Sequence, residues 1–492
     1  MGSVTVQIDH EGKIPVKTQI AEAYASAIRA GTLKPGSALP SIRALSARLK
    51  VSPATVVAAY RELSDTGLAL AEPRSAFRVA GMGADPAREG KAAGSPFLNG
   101  GSTVDGAYAP ELGSAHGLYA LNRIEPDLRV HPVREFARVI AEVAARDPFS
   151  GGYEEYRGNA ALREAIAACD RAQGIESDPV NGMLMTSGAQ QALQLLARSF
   201  PPGTAIAFED PCYPGARLAF AGNLARLVPV ASGSDGPEAE ALAAVSSAGA
   251  VAALYCCPTY GNPSGRTWSR AARLRVLEAA AKGGFLVIED DYLGDLDYLD
   301  EKPDRLSSLA ASVPGASVVR IRTFSKCLLP ALRLASVTGE ASLVSRLLAL
   351  KVADDIGCSA FTQRALARFI ASGQYEAHLA RVRPRYRATR EAVREALREP
   401  VEGLSFDDPP SGLSLLARAT GALNPGRFVS ECAREGALVS PGGDYWHDSA
   451  RGSGYFRICF GSLAPEEAAS AIDTLRRAAS AALNQAPVYS LI

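Results

Sequence analysis

The sequence predicts an α/β protein that combines a small helical N-terminal domain with a larger domain built around a mainly parallel sheet. Three observations predict this arrangement. Helical patterns with clear start and stop signals follow one another over the first 80 residues. Residues 81–110 are rich in Gly, Ala, Pro and Ser without periodicity, which is typical of a flexible linker. From about residue 111 onward, short β-rich runs alternate with helical patterns.

Composition narrows the class of protein. The 492 residues are 47% hydrophobic and 21% charged, which is ordinary for a soluble globular chain. Net charge is zero, but the first 80 residues hold ten Lys and Arg against six Asp and Glu. The N-terminal part is therefore expected to contact a negatively charged partner. The eight cysteines lack metal-binding spacing, and no apolar run approaches the roughly 20 residues that span a bilayer. We expect a cytoplasmic protein without a metal or membrane contact.

The N-terminal domain is predicted to contain three short helices and a hairpin. The expected elements are helices at 16–30, 42–49 and 53–65 and strands at 68–70 and 77–79. The first helix carries an apolar stripe of Ile20, Tyr24, Ala27 and Ile28. Ser41 and Ser52 stand at good N-cap positions for the second and third helices. Three helices followed by a hairpin form a winged helix-turn-helix, which is a DNA-binding fold.

One run within this domain carries a specific resemblance. The sequence GTLKPGSALPSIRALSARLKVSPATVVAAYRELSDTG, at 31–67, closely resembles the GntR-type DNA-binding domain. The resemblance implies that residues 12–80 bind double-stranded DNA through Arg43, Ser52, Thr55, Arg74 and Arg78. The helix that starts near Ser52 would enter the major groove, and Arg74 and Arg78 would lie on or beside the wing. The wing tip departs from the family, which usually has a glycine-rich sequence there. The alternative is a helical cap with a solvated basic face.

In the larger domain, polar clusters follow the predicted strands. Five β-rich or apolar runs occur at 184–186, 205–208, 251–255, 285–288 and 318–321, and a polar cluster follows each one. Ligand groups in such sheets lie beyond the carboxyl ends of the strands. The first cluster opens a helix, which suits a phosphate or is an ordinary N-cap. The last contains Lys326 and Arg333, which could supply a Schiff-base amine and a phosphate-binding guanidinium, or a surface lysine and a salt-bridged arginine. Pro330 predicts a loop with a short helical piece between them.

Taken together in this order, the clusters resemble those of fold-type I pyridoxal-5′-phosphate aminotransferases, from roughly Leu112 to the C-terminus. The fusion of a GntR-like domain to such a domain resembles the MocR-type transcriptional regulators. The resemblance implies a winged helix-turn-helix at 12–80, a linker at 81–110, and an aminotransferase-like effector and dimerisation domain at 111–490. That last domain would have a mainly parallel sheet and a smaller C-terminal α+β subdomain.

The resemblance also implies a role for each residue around the cofactor ring. Lys326 would form the Schiff base with the aldehyde of pyridoxal 5′-phosphate. Asp290 would pair with the pyridine nitrogen and keep it protonated. Asn262 and Tyr292 would donate hydrogen bonds to the ring hydroxyl oxygen, and Tyr213 would stack on the ring face.

Further residues are implied for the phosphate, the partner subunit and the effector. The phosphate would be held by Ser187, Gly188, Ala189, Thr323, Ser325 and Arg333. Tyr153 matches a tyrosine that reaches the phosphate of the neighbouring subunit, so a homodimer is implied. Arg457 matches the arginine that binds an amino-acid α-carboxylate, although a strand-end salt bridge is the alternative.

Two functions follow from these resemblances. The first is a DNA-binding regulator that senses pyridoxal phosphate or an amino compound through imine chemistry at Lys326. The alternative is an active aminotransferase with an appended DNA-binding domain. Asn262 favours keeping the alternative open, because many regulators of this type carry a Gln-aromatic-Pro sequence where this chain has Gly261-Asn262-Pro263.

Overall fold

The computed structural model describes residues 15–29, 32–33, 37–65, 69–72, 76–79, 119–247, 249–409 and 412–484. The chain divides into two compact units, residues 1–105 and 106–492. The predicted linker at 81–110 and the predicted wing tip with Arg74 lie outside the described residues.

The N-terminal unit has the three helices and the hairpin that the sequence predicts. Its elements are α1 (Val16–Arg29), α2 (Ile42–Leu49), α3 (Pro53–Asp65), β1 (Ala69–Glu72) and β2 (Ala76–Val79). The two strands pair antiparallel. Ile20 and Tyr24 of α1 are buried as predicted, but Ala27 and Ile28 are only partly buried, whereas Ala25 is buried. Periodicity fixes the apolar stripe only to within about one residue, and packing against α3 selects the buried face.

The second unit alternates strands and helices, as the sequence predicts. Its strands are β3 (Tyr119–Ala120), β4 (Met183–Thr186), β5 (Ala205–Asp210), β6 (Arg226–Gly233), β7 (Gly236–Pro237), β8 (Ala253–Cys256), β9 (Leu286–Asp291), β10 (Ser317–Thr323), β11 (Ala335–Thr338), β12 (Leu404–Phe406), β13 (Ser414–Ala419), β14 (Ala437–Leu438), β15 (Ser440–Pro441) and β16 (Tyr455–Cys459). Its helices are α4 (Val133–Arg146), α5 (Ala160–Arg171), α6 (Ala189–Arg198), α7 (Pro214–Gly222), α8 (Ala239–Val245), α9 (Arg270–Gly283), α10 (Leu306–Leu309), α11 (Ala341–Asp354), α12 (Ala360–Ala371), α13 (Gln374–Ala396), α14 (Pro425–Glu435), α15 (Ser449–Gly452) and α16 (Ala468–Asn484).

An eight-stranded sheet forms the centre of this unit, in the order β4-β11-β10-β9-β8-β5-β6-β7. The run from β10 to β6 is parallel throughout, and β11 and β7 are the antiparallel members. The mainly parallel sheet is therefore confirmed. Most residues of the inner strands are buried, because helices cover both faces of such a sheet.

A smaller α+β subdomain follows towards the C-terminus, as predicted. Four antiparallel strands in the order β12-β13-β16-β15 pack with α14 and α16 around their own apolar core. Strand β16 carries Arg457, which lies opposite Leu416 of β13. Among the described residues, no helix combines the length and the apolar content needed to cross a bilayer.

Candidate functional site

A cavity of about 600 Å³ lies beyond the carboxyl ends of the parallel strands. Ten of the residues predicted for the site line it: Ala189, Tyr213, Asn262, Asp290, Tyr292, Thr323, Ser325, Lys326, Arg333 and Arg457. They come from strand ends and loops that are up to 268 positions apart in the sequence, and the parallel sheet brings them together. Ser187, Gly188 and Tyr153 do not line the cavity.

Lys326 lies in the loop after β10, and its side chain is largely buried in the cavity wall. Its Nζ donates to the carbonyl oxygen of Ile124 at 2.6 Å. Burial lowers the pKa of the Lys326 amine from its usual value. The neutral amine is the nucleophilic form, so this environment favours attack on an electrophilic carbon.

Asp290 lies at the carboxyl end of β9 and is 3% exposed. Its Oδ2 accepts a hydrogen bond from the Tyr255 hydroxyl at 2.7 Å. Its Oδ1 is buried and has no hydrogen-bond partner among the described residues. Burial raises the pKa of the Asp290 carboxyl to about 6. A buried carboxylate with one unpaired oxygen on a cavity is suited to accept a hydrogen bond from a cationic N–H group.

Arg457 connects two parts of the cavity. Its Nη1 donates to Oδ1 of Asn262 at 2.9 Å, and its Nη2 donates to the carbonyl oxygen of Asn122 at 2.6 Å. The guanidinium carbon lies 5.1 Å from the ring centroid of Tyr445. The Asn262 amide, the Asn122 carbonyl and the Tyr445 ring thus hold the Arg457 guanidinium in place. Arg457 also lines the cavity.

The opposite end of the cavity is formed by Arg333 and the hydroxyls of Thr323 and Ser325, and Gly188 lies against the Arg333 guanidinium. Gly188 is the N-cap of α6 and has φ +95°. Nη2 of Arg333 donates to the carbonyl oxygen of Ser187 at 3.5 Å, and a Cβ on Gly188 would lie 2.7 Å from the same nitrogen. A helix N-terminus, a guanidinium and two hydroxyls form a site for an anion with several oxygens.

The backbone N–H and the hydroxyl of Ser187 contact residues other than those of this anion site. Its backbone N–H donates to the Gln191 side chain at 2.8 Å, and its Oγ lies 3.6 Å from the sulfur of Cys358. Tyr153 does not line the cavity either, and its side chain is 85% exposed. The predicted roles of these two residues stay predictions.

Sequence reasoning missed the segment at residues 119–131, which we call the lead-in segment. The carbonyls of Asn122 and Ile124 accept from Arg457 and Lys326, as described above. At its end, Nδ1 of His131 contacts the carbonyl oxygen of Leu328, two residues after Lys326. This segment has no local motif, and its backbone carbonyls carry no sequence signal.

A buried ion network lies beneath the cavity and was also missed. Arg320 and Arg322 of β10 both contact Oδ1 of Asp170, at 2.7 and 3.1 Å. Arg320 also pairs with Asp291 at 2.7 Å, next to Asp290, and Arg322 pairs with Asp295 at 2.8 Å. These pairs fix the ends of the two strands that present Asp290 and Thr323.

In the N-terminal unit, the predicted DNA-contacting residues lie at element ends. Ser52 caps α3, because its Oγ accepts from the backbone N–H of Thr55 at 3.1 Å and lies 2.8 Å from the Thr55 hydroxyl. Arg43 is exposed in the first turn of α2, and Arg78 is exposed on β2. The predicted N-cap role of Ser52 is therefore confirmed, and the DNA contacts of these residues stay predictions.

Comparison with known proteins identifies two families. The family described as aminotransferase class I and II matches residues 126–475. The family described as bacterial regulatory proteins, gntR family, matches residues 16–79.

Relatives resemble either the whole chain or its second unit. The HTH-type transcriptional regulator TauR of Rhodobacter capsulatus is 28% identical over 495 residues, covering 95% of this chain and 97% of TauR. The probable rhizopine catabolism regulatory protein MocR of Rhizobium meliloti is 27% identical, covering 88% of each chain. The crystal structure of LysN, the α-aminoadipate aminotransferase of Thermus thermophilus, superposes with a TM-score of 0.68 at 27% identity, covering 75% of this chain and 93% of LysN.

Proposed function

Because the chain belongs to the aminotransferase class I and II family and also carries a gntR-family regulatory domain, we propose that it is a MocR-type transcriptional regulator. The observation that carries this proposal is the order of the two domains in one chain, which TauR shares over 97% of its length. The regulator would bind double-stranded DNA in the cytoplasm through residues 12–80. It would sense pyridoxal phosphate or an amino compound through residues 111–490.

The residues of the cavity fit pyridoxal phosphate at three points. The unpaired Oδ1 of Asp290 suits the ring N–H. The narrow turn at Gly188, beside Arg333, suits the phosphate, since any larger residue would crowd the guanidinium. The buried amine of Lys326, with its lowered pKa, suits the aldehyde. Pyridoxal phosphate would supply an aldehyde that condenses with amines and a ring that withdraws electrons.

The other side chains would orient the cofactor and its ligand. Asn262 and Tyr292 would lie at the ring hydroxyl, and Tyr213 would cover a ring face. Ala189, Thr323 and Ser325 would contribute donors at the phosphate, with Ser187 supporting the turn. Arg457 would bind the carboxylate of an amino compound with its planar donors.

We expect Gly188→Ala to weaken pyridoxal phosphate binding by about tenfold or more, because the new Cβ would displace Arg333. The backbone φ of +95° adds strain for alanine. Gly203→Ala is the matched control, since Gly203 has φ +82° and open space around its Cβ position. Equilibrium dialysis measures both affinities. Equal losses in the two variants would assign the effect to backbone strain rather than to the phosphate site.

The lead-in segment supports a sensing role. It begins at residue 119, shortly after the predicted linker at 81–110, and its carbonyls accept from the two side chains that would bind the aldehyde and the carboxylate. Lys326 would give up the hydrogen bond from its Nζ to Ile124 when its amine reacts, and Arg457 would turn some of its N–H donors towards a ligand carboxylate. Binding of an amino compound would thereby change the hydrogen bonds of the lead-in segment, which is connected through the predicted linker to the DNA-binding domain.

We also propose a homodimer. Tyr153 is 85% exposed, and Phe149, four residues earlier in the chain, is 74% exposed. Ile356 and Phe361 add further exposed apolar side chains, and a Cβ on Gly151 would contact the Phe361 ring. Exposed aromatic groups of this kind mark protein interfaces. Sedimentation analysis tests the proposal, which a monomer at micromolar concentration would contradict.

The DNA-binding proposal is tested by footprinting on the DNA that flanks the protein's own coding region. We expect a specific footprint at physiological salt, and we expect Arg43→Ala to weaken binding about tenfold. The variant would lack the contact of the exposed Arg43 guanidinium with a phosphate or a base. If that contact is to a phosphate, the slope of log affinity against log salt concentration should also become shallower by about one. Arg398→Ala, which removes an exposed arginine from the second unit, is the control. No specific footprint, with or without pyridoxal phosphate, would refute the proposal.

A second candidate function is an active aminotransferase acting on an amino acid. It is favoured by Asn262, which contacts Arg457 in a cavity that also contains Lys326 and Asp290. Rapid mixing with a panel of amino acids distinguishes the two functions. Fast conversion of the cofactor to its amine form with release of a keto acid would favour the enzyme.

A further inference from the structure

Tyr255 is a buried residue of β8 that does not line the cavity itself but contacts side chains that do. It is 0% exposed, and its hydroxyl lies 2.7 Å from Oδ2 of Asp290. Burial raises the pKa of the Tyr255 phenol well above its usual value, so the phenol keeps its proton. The phenol is therefore the donor and the carboxylate is the acceptor. The Cys257 sulfur, 3.3 Å from the same hydroxyl, is its second neighbour.

This contact determines which oxygen of Asp290 is left for a ligand. A carboxyl group can rotate about its Cβ–Cγ bond, and either oxygen can accept a hydrogen bond. The Tyr255 hydroxyl holds Oδ2, whereas Oδ1 is buried and lacks a partner among the described residues. Asp290 itself lines the cavity. The unpaired oxygen is thus the one available to a group in the cavity.

We propose that Tyr255 is a positioning residue, whose hydroxyl fixes the Asp290 carboxylate so that Oδ1 accepts the ring N–H of pyridoxal phosphate. The inference rests on the proposed binding of that cofactor. Tyr255 stabilises the charged form of the carboxyl, because a hydrogen bond to a carboxylate favours ionisation. Without the phenol, Oδ2 would be buried and unpaired, and Asp290 would tend to be neutral. A neutral Asp290 would no longer hold the ring nitrogen protonated.

The test compares two ligands on the full-length chain. One is pyridoxal phosphate, and the other is its 1-deaza analogue, in which a C–H group replaces the ring nitrogen. We expect Tyr255→Phe to weaken pyridoxal phosphate binding by about tenfold or more, since it removes a hydrogen bond to a charged group. The affinity for the analogue should change by less than about threefold, because the analogue has no N–H for Asp290 to accept. Retained binding of the analogue also shows that the variant is folded.

Two further variants test whether Tyr255 acts through Asp290. Asp290→Asn should show the same selective loss, and adding Tyr255→Phe to it should cause little further loss. Tyr375→Phe is the matched control, because the Tyr375 hydroxyl donates to a buried carboxylate oxygen of Asp295 at 2.8 Å. Tyr375 does not line the cavity, and this variant should bind both ligands like the unsubstituted chain.

A spectroscopic readout completes the test. The nitrogen-15 chemical shift of labelled pyridoxal phosphate should report a protonated ring nitrogen in the unsubstituted chain and a less protonated one in Tyr255→Phe. Equal losses of affinity for the two ligands, or a full additional loss in the double variant, would overturn the inference. Failure of the unsubstituted chain to bind pyridoxal phosphate would instead overturn the proposed function together with this inference.

Discussion

We expect Lys326→Ala to abolish the proposed covalent attachment of pyridoxal phosphate. Lys326 presents its amine at the cavity, where burial lowers its pKa and favours the nucleophilic form. Alanine has no amine, so the loss should be complete rather than partial. Borohydride reduction followed by denaturation and mass spectrometry measures the cofactor that stays attached. The unsubstituted chain should carry it on the peptide containing residue 326.

Two variants control this result. Lys302→Ala removes an exposed lysine and should leave the attachment unchanged. Lys326→Arg keeps a cation that can donate to the Ile124 carbonyl but cannot form the imine, so it separates charge from covalent chemistry. Covalent cofactor retained on Lys326→Ala would assign the reactive amine to another residue.

Asp170→Asn should destabilise the second unit by about 3–5 kcal/mol, because a buried ion pair loses one partner. Asp170 is 0% exposed, and its Oδ1 accepts from both Arg320 and Arg322. A neutral amide would leave part of the charge of two buried arginines uncompensated. The change in unfolding free energy is measured by urea denaturation, with tryptophan fluorescence as the signal. Both tryptophans of the chain, Trp268 and Trp446, lie in the second unit, so the signal reports that unit.

Glu164→Gln is the control for this stability effect, because Glu164 lies on the same helix, α5, and is exposed. We expect it to change the unfolding free energy by less than about 0.5 kcal/mol. If Asp170→Asn were equally mild, the buried arginines would have to be compensated by Asp291 and Asp295 alone.

Local signals in the sequence predicted most of the fold. Helices α2 and α3 have the predicted bounds, because Ser41 and Ser52 act as caps and the apolar spacing is regular. The central strands were identified from short β-rich runs, and their parallel arrangement follows from the helices between them. The ten predicted residues that line the cavity were found because they belong to motifs that resemble those of aminotransferases.

Contacts between distant residues were not predictable in this way. Tyr255 looked like an ordinary core residue of an apolar strand, and its hydrogen bond to Asp290 spans 35 positions. The pairing of Arg320 with Asp170 spans 150 positions. Such contacts depend on how strands and helices are placed in three dimensions, which periodicity and capping do not encode. The lead-in segment was missed for another reason, since it acts through backbone carbonyls that every residue possesses.

Under the proposed roles, the hydrogen bond between Arg457 and Asn262 would link the binding of the cofactor to the binding of the effector. Asn262 would contact the ring hydroxyl and Arg457 a ligand carboxylate, so a group bound to one of these side chains would alter its hydrogen bond with the other. Linkage is reciprocal: the factor by which an effector alters the affinity for pyridoxal phosphate equals the factor by which the cofactor alters the affinity for the effector. The concentration of free cofactor in the cell would therefore set the effector concentration at which the protein responds.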